Sequence, residues 1–318
     1  MLEQLIDILT NIEFYAAILR VTTPLLLAAM GGLLSERTGV VTFGMEGMML
    51  MGTIGGVIGS YLTGYVWGGL ALAIVAGVLV ALAFAFMAVT IGANQIVSAV
   101  ALNIGALGLS STLFVLVFQG AEGIVDTVIT VPSMSNWKIP LLSDIPIIGP
   151  ILFNQLPLVY LAFLIVPLIW WVLYQTTWGL KIRAVGEHPH AADTVGISVV
   201  RVRYLTLICT GALSGLAGSF LSIGLLNSFQ ENMSAGRGFI AYTAIVFGKW
   251  EPLGVMLGTL LFGAADALQL RIQALNLNIP YQFLVAFPYI ITLIVLIFFV
   301  GKATWPASYG TSFKREGK

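Results

Sequence analysis

One apolar stretch of the sequence contains uncharged polar residues whose types and spacing would allow them to bind a solute. Gln95, Asn103 and Ser110 fall within roughly an 80° sector of a helix, and Ser98 lies beside them. Polar groups in a hydrophobic environment are costly, and they usually face a bundle interior or a water-filled path. Such a stripe suits a neutral, hydrogen-bonding solute. Interhelical hydrogen bonding is the alternative that the stripe leaves open.

Two carboxylates stand in similarly apolar surroundings. Glu46 lies in a methionine-rich run, and Asp266 follows a Gly-Ala-Ala run. A charge at the centre of a bilayer costs about 2.5–3.5 kcal/mol on insertion scales, so each carboxylate needs a partner or a place near the interface. For Glu46 we expect an ion pair near the interface, with Arg37 close in sequence, and a contact with solute is the alternative. An ion-coupled secondary transporter that relays protons through Asp266 and Glu46 is therefore a competing function.

The sequence gives little support for a catalytic function. The Gly-Lys pairs lack the following Ser or Thr of a phosphate-binding loop, so ATP is not bound by that mechanism. His188 and His190 have no cysteine or clustered carboxylate to complete a metal site, and Cys209 is the only cysteine. The sequence therefore predicts no enzyme, no catalytic residue, no metal and no cofactor. A membrane-embedded structural subunit without a solute path is a third possible class.

The elements that must position these residues are membrane helices. Of the 318 residues, 58% are hydrophobic and only 9% are charged, and the mean hydropathy is +0.99. Soluble domains carry about 25% charged residues, so lipid must cover much of this surface. A formal net charge of zero excludes the basic footprint of a nucleic-acid-binding protein. We expect an all-α integral membrane protein, with residues 1–318 forming a single transmembrane domain.

A window of about 20 apolar residues predicts eight to ten membrane helices. The candidate segments are 14–34, 40–63, 65–90, 93–118, 156–177, 204–226, 239–247, 253–270 and 281–300. The short segment 239–247 must cross at least partway, because both flanks of the region 204–300 are to lie inside the cell and an even number of crossings is therefore needed. The turn 249–252 would then lie on the cytoplasmic side.

The distribution of Lys and Arg predicts the orientation. The loop 178–203 and the tail 301–318 are rich in these residues and should be cytoplasmic. The segment 119–155 has Lys138 as its only basic residue and should be an irregular external loop, because it contains four prolines. The N-terminus then lies outside the cell.

A short helix is predicted within the loop 178–203. Pro189 suits the first position of a helix, and Gly196 suits its C-terminal end. The intervening residues form about two turns, which is too short to span a membrane. Such a helix could pass force from a soluble partner into the bundle.

This short helix lies in a stretch with a family resemblance. Residues 186–193, Gly-Glu-His-Pro-His-Ala-Ala-Asp, resemble the coupling loop of permease subunits of bacterial ABC importers. Segments 34–50, 93–103 and 236–252 are similar to further family motifs, in the same order. Within this family, the chain resembles the nucleoside and simple-sugar permeases, which are allied to the ribose and branched-chain amino-acid permeases. Thr42 and Phe43 depart from the usual Asn-Ile pair, so the solute preference could differ.

The resemblance implies a permease that forms the path of a small polar solute, nucleosides or simple sugars, in the bacterial inner membrane. A second permease subunit (a related chain or a second copy), a cytoplasmic ATPase that hydrolyses the ATP, and an extracytoplasmic solute-binding lipoprotein would be its partners. The residues expected to dock in the ATPase are Gly186, Glu187, Pro189, Ala191, Ala192, Asp193 and Gly196. The residues expected to line the path are Asn94, Gln95, Ser98, Asn103 and Glu46.

Overall fold

The computed structural model describes residues 10–118, 131–140, 142–146, 148–274, 282, 286, 290 and 305–314. Two short strands, β1 (Trp137–Lys138) and β2 (Asn154–Gln155), pair in antiparallel fashion. The helices are α1 (Ile12–Glu36), α2 (Met45–Thr63), α3 (Val66–Ala85), α4 (Gln95–Phe118), α5 (Ile148–Leu152), α6 (Pro157–Gln175), α7 (Thr177–Glu187), α8 (Pro189–Thr194), α9 (Val199–Ser219), α10 (Arg237–Phe247) and α11 (Pro252–Ala274). Helices α3 and α9 continue as π-helical turns over Phe86–Ile91 and Phe220–Leu226.

Six helices of the described residues are long and apolar enough to cross a membrane: α1, α3 and α9 with their π-helical turns, α4, α6 and α11. The predicted all-α membrane fold is therefore confirmed. Helix α2 has 19 residues and lies largely buried within the bundle. Helix α10 has 11 residues, so it spans about 16 Å, roughly half of a hydrocarbon core. The predicted span 281–300 lies almost wholly outside the described residues.

Small residues bring the central helices α2, α3 and α9 into backbone contact. A Cβ on Gly52 would lie 2.3 Å from the carbonyl oxygen of Gly215. A Cβ on Gly77 would lie 2.2 Å from the carbonyl oxygen of Gly211. Only glycine permits such an approach, and close approach of backbones is what holds helices together where lipid offers no hydrophobic driving force. The core that positions the polar residues is therefore rigid and tightly packed.

Contacts between distant parts of the chain define two ends of the bundle. Arg37 follows α1, and its guanidinium donates from Nε to the carbonyl oxygen of Trp250 (2.8 Å) and from Nη2 to the hydroxyl of Tyr174 (3.2 Å). The end of α1, the α10–α11 turn and the α6–α7 junction therefore meet, and we call this the α8 end. At the opposite end, Glu13 in the first turn of α1 pairs with Arg271 in the last turn of α11 (3.7 Å).

The segment 178–203 contains more helix than the one short helix that the sequence predicts. Residues Thr177–Glu187 form α7, and α9 begins at Val199, several residues before the predicted span. The hydroxyl of Thr176 accepts the N–H of Gly179 (3.2 Å) and caps α7. A hydropathy window missed α7 because this helix is amphipathic and too short to span a membrane.

The short helix α8 forms where the sequence predicts it. It begins at Pro189 and ends at Thr194, and Gly196 follows with φ +85°. A residue with a Cβ is strained at this φ, so glycine suits the turn that leads into α9.

The segment 119–155 is more ordered than the predicted irregular loop. Its described residues include β1, α5 and β2. The hydroxyl of Tyr160 in α6 joins the two strands, because it donates to the carbonyl oxygen of Trp137 (3.0 Å) and accepts the N–H of Gln155 (3.0 Å).

Candidate functional site

The chain between α1 and α2 is not helical, and it runs alongside α4 into the bundle. The N–H of Val41 donates to Oε1 of Gln95 (2.8 Å). Further along α4, Asn103 donates to the carbonyl oxygen of Phe43 (3.0 Å) and accepts the N–H of Gly47 (2.8 Å). The two amides lie about 12 Å apart along the helix, so α2 begins inside the bundle and not at its surface. Non-helical backbone at membrane depth needs such partners or a water-filled cavity.

Two members of the predicted polar stripe therefore make interhelical hydrogen bonds, the alternative that the stripe left open. Both Gln95 and Asn103 are buried. Among the described residues, Nε2 of Gln95 has no hydrogen-bond partner, so one donor of the stripe is uncommitted. A buried amide donor without an acceptor is costly, and it could be satisfied by a solute or by water.

The other predicted path residues on this helix have local partners or none. Asn94 is exposed at the α8 end, and its Oδ1 accepts the N–H groups of Ile96 (3.0 Å) and Val97 (3.1 Å). It therefore caps α4. Ser98 is buried beside Gln95 on the inward face of the helix, and Ser110 donates to the carbonyl oxygen of Leu107 in its own helix (2.9 Å).

A second non-helical segment, 227–236, precedes α10, and we call it and the segment 37–44 the two helix breaks. Glu46, in the first turn of α2, lies where they meet. Its carboxylate accepts the hydroxyl of Ser234, the N–H of Gly236 (2.9 Å) and the N–H of Gly238 (2.7 Å). These N–H groups begin α10, whose positive dipole end and free donors favour an anion. The expected ion pair with Arg37 is wrong, because Arg37 lies at the α8 end with its own partners. The N–H groups at the start of the short helix α10 compensate the negative charge of Glu46. The sequence had indicated a cation for this role.

An ion pair stands beside this junction. Arg237, the first residue of α10, pairs with Asp266 of α11 (3.5 Å), and about a quarter of each side chain is exposed. The sequence singled out Asp266 as a possible proton relay without its partner. Arg237 lies in the Gly-Arg-Gly sequence that begins the segment 236–252, which is the signal that could have identified it.

Aromatic rings lie at the same level as Glu46 and Asn103. The ring of Phe43 packs on that of Tyr242 with centroids 4.2 Å apart, and the ring of Phe239 lies 6.1 Å away. Phe239 is 39% exposed, so this cluster reaches the surface of the single chain. Phe43, one of the two residues that depart from the family's usual Asn-Ile pair, therefore lies at the helix breaks. An aromatic face beside amides can stack on a planar ring and hydrogen-bond its edge.

The predicted docking residues around α8 differ in exposure. Glu187, Ala191 and Gly196 are exposed, Pro189 and Asp193 are half-buried, and Gly186 and Ala192 are buried. A Cβ on Gly186 would lie 2.1 Å from the carbonyl oxygen of Arg37, so this glycine permits close packing of α7 on the end of α1. Sequence reasoning missed Val195, which is 75% exposed directly after α8. An apolar side chain this exposed at the tip of a connection is typical of a contact point.

Two buried charges at the α8 end were not anticipated. Glu36 is fully buried and accepts from Nε1 of Trp250 (2.8 Å) and from the N–H of Thr42 (3.2 Å). Arg203 is one of the basic residues of the segment 178–203 that predict a cytoplasmic side, yet it is fully buried in α9. Its Nε donates to the carbonyl oxygen of Thr38 (3.3 Å). Nothing in the local sequence separates Arg203 from the exposed Arg201.

Membrane-length helices around two helix breaks, with amides, a carboxylate and aromatic rings at their meeting point, define a polytopic membrane transport protein. Residues 14–300 match the family described as the permease component of branched-chain amino acid transport systems. The chain belongs to this family.

Three curated relatives extend over nearly the whole chain. The nucleoside ABC transporter permease NupC of Lactococcus lactis is 37% identical, over 92% of this chain and 93% of its own. The guanosine ABC transporter permease NupQ of Bacillus subtilis is 38% identical, over 91% and 92%. A putative glucose ABC transporter permease of Haloferax volcanii, TsgC13, is 36% identical, over 91% and 93%. No solved structure matches. The predicted permease of ABC type is confirmed, and the ion-coupled alternative loses its support.

Proposed function

We propose that the chain forms part of the membrane path of an ATP-driven importer of nucleosides. The observation that carries this proposal is the similarity, over nine-tenths of the chain, to two permeases named for nucleosides. A relative named for glucose is nearly as similar, so simple sugars are the second candidate.

The solute passes the point where the two helix breaks meet. A nucleobase is planar and a sugar is not, so an aromatic platform discriminates between the two candidates. Phe43, held against Tyr242, presents such a platform beside Phe239. Stacking of a base on an aromatic side chain contributes about 1–3 kcal/mol. Asn103 holds the backbone at the level of these rings, and the free Nε2 of Gln95 lies about 12 Å further along α4, toward the α8 end, so both supply uncharged hydrogen-bonding groups along the path.

The α8 end faces the cytoplasm, because the segments 178–203 and 301–318 carry the excess of Lys and Arg. The N-terminus and the segment 119–155 then lie outside, where a solute-binding lipoprotein delivers its cargo. The protein acts in the bacterial inner membrane with a second permease subunit, and a separate ATPase hydrolyses ATP.

The ATPase docks on the exposed surface of α8 and the residues that flank it. Glu187, Ala191, Val195 and Gly196 are exposed there, where a partner can reach them, and Glu187 also accepts the N–H of Ala307 (3.4 Å). Gly186 and Ala192 instead hold α7 and α8 against the bundle. A bulky residue at Gly186 would therefore disturb the fold as well as docking, and exposed positions give the cleaner test.

The experiment that tests the solute class replaces Phe43 with Leu in the assembled importer and measures uptake of radiolabelled guanosine and glucose. Loss of the ring face should raise KM for guanosine about tenfold, as for a stacking loss of 1–2 kcal/mol. The control is Phe86→Leu, which changes an aromatic residue that is 54% exposed on the outer face. Guanosine uptake unaffected by Phe43→Leu contradicts the platform. Transport of glucose alone contradicts the nucleoside assignment and supports the second candidate.

A further inference from the structure

The segment 305–314 folds back against the α8 end without forming a helix or strand. Ser308 is buried, and its N–H (2.9 Å) and hydroxyl (2.6 Å) both donate to the carbonyl oxygen of Gly186. The hydroxyl also approaches the carbonyl oxygen of Val185 (3.3 Å). Both carbonyls belong to the last turn of α7, where the helix itself provides no donor. The segment therefore caps α7 at the point where the chain turns into α8.

The residues after Ser308 contact the end of α1 and the α10–α11 turn, which face α7 at the α8 end. The hydroxyl of Tyr309 donates to Oε2 of Glu36 (3.0 Å), and its ring packs edge-on against Trp250, with centroids 5.7 Å apart. The N–H of Gly310 donates to the carbonyl oxygen of Gly39 (2.9 Å). Three consecutive residues thus connect the end of α7 to the end of α1 and to the α10–α11 turn.

Two buried charges depend on this segment for partners. Glu36 receives one of its hydrogen bonds from Tyr309, and Nη1 of Arg203 donates to the carbonyl oxygen of Thr311 (3.1 Å). Burial raises the pKa of Tyr309 and the charge of Glu36 raises it further, so the phenol stays protonated and remains a donor. Removing one partner of a buried charge is strongly destabilising. The position of the segment is therefore specific, because displacing it removes one hydrogen bond from each of two buried ionisable groups, and Nη2 of Arg203 already has no partner among the described residues.

We propose that the segment 305–314 is a tie that makes α7 and α8 move together with the bundle, and that Ser308 and Tyr309 are its positioning residues. The inference rests on the proposed docking of the ATPase at α8. Force applied to α8 reaches the end of α7, passes through the tie to the α10–α11 turn, and follows α10 to Glu46 at the helix breaks. Without the tie, the packing of α7 and α8 at Gly186 and Ala192 still links them to the bundle, but the path follows the ATPase less closely.

The test compares the double variant Ser308→Ala/Tyr309→Phe with the wild type in proteoliposomes that contain the complete importer. The substitutions remove two hydroxyls and keep the backbone hydrogen bonds and the ring packing. The hydroxyl of Ser308 bonds Gly186, and the hydroxyl of Tyr309 bonds both Glu36 and Tyr242. The loss of these three hydrogen bonds shifts the ratio of seated to unseated tie by about tenfold or more. The number of guanosine molecules transported per ATP hydrolysed should fall severalfold, while the ATPase still co-purifies and its basal rate is retained. The control Ser312→Ala changes an exposed serine of the same segment and should leave the ratio unchanged.

An unchanged ratio of guanosine to ATP in the double variant overturns the tie. Tyr309→Phe alone removes a single oxygen atom, and it provides the same test with a smaller effect if the double variant is poorly inserted. Val195→Asp separates this inference from the proposed function, because it should release the ATPase from the complex. If Val195→Asp leaves the complex intact, docking at α8 is wrong. If Val195→Asp releases the ATPase and the double variant stays coupled, only the tie is wrong.

Discussion

Replacing Glu46 should detach the start of α10 from α2. In Glu46→Gln, one side-chain oxygen remains for Ser234 and Gly236, but an NH2 group faces the N–H of Gly238. The loss of one hydrogen bond to a charged acceptor costs about 1.5–3 kcal/mol, and the α10 dipole loses about 0.3–1 kcal/mol. Glu46→Ala leaves the buried N–H of Gly238 and the half-buried N–H of Gly236 without an acceptor, at about 1–3 kcal/mol each. We expect a free-energy cost of about 2 kcal/mol for Gln and about 4 kcal/mol for Ala.

The assay is the thermal transition of the purified protein in detergent, with the expected order of midpoints wild type, then Gln, then Ala. Glu251→Gln is the matched control, because it removes the same charge from an exposed residue and should leave the midpoint unchanged. A Glu46→Gln protein as stable as the wild type refutes the anchoring of α10 by this carboxylate. If that protein also loses uptake, Glu46 acts on solute or on coupling instead.

Two further predictions concern packing and docking. Gly218→Ala places a Cβ 2.0 Å from the carbonyl oxygen of Met49, so it should lower the thermal midpoint and the yield of inserted protein, whereas Gly105→Ala, with nothing within 4 Å, should change neither. An unaffected Gly218→Ala protein would contradict the close approach of α2 and α9. Val195→Asp should abolish co-purification of the ATPase without changing insertion of the permease into the membrane. Glu251→Ala, at the same end of the bundle, is the control and should still co-purify with the ATPase. If the Val195→Asp protein also co-purifies with the ATPase, docking at α8 is contradicted.

Local signals explain what could be predicted from the sequence. Hydropathy identifies the membrane helices because each needs about 20 apolar residues in one run. Pro189 and Gly196 identify α8 because they fix the backbone at its two ends, independently of the rest of the chain. The polar stripe on α4 follows from helical periodicity alone, and the structure shows that it faces inward.

Long-range partners explain what could not be predicted. Glu46 meets the N–H of Gly236 across 190 positions in sequence, and Arg203 meets Thr311 across 108. No short stretch of the sequence contains both partners, so the sequence points to the nearby Arg37 as the partner of Glu46 and gives no sign that Arg203 is buried. The short amphipathic helix α7 lacks the apolar run that reveals a membrane span, and its packing against the bundle and the segment 305–314 becomes visible only in three dimensions.

The central claim is that this chain provides the path for ATP-driven import of nucleosides. The most direct measurement is accumulation of radiolabelled guanosine by proteoliposomes that contain the purified importer, with and without ATP on the side of the ATPase. We predict accumulation that requires ATP, is suppressed by excess unlabelled nucleoside and is insensitive to excess glucose. Accumulation driven by an ion gradient without ATP, or suppressed by glucose and not by nucleosides, would contradict the account.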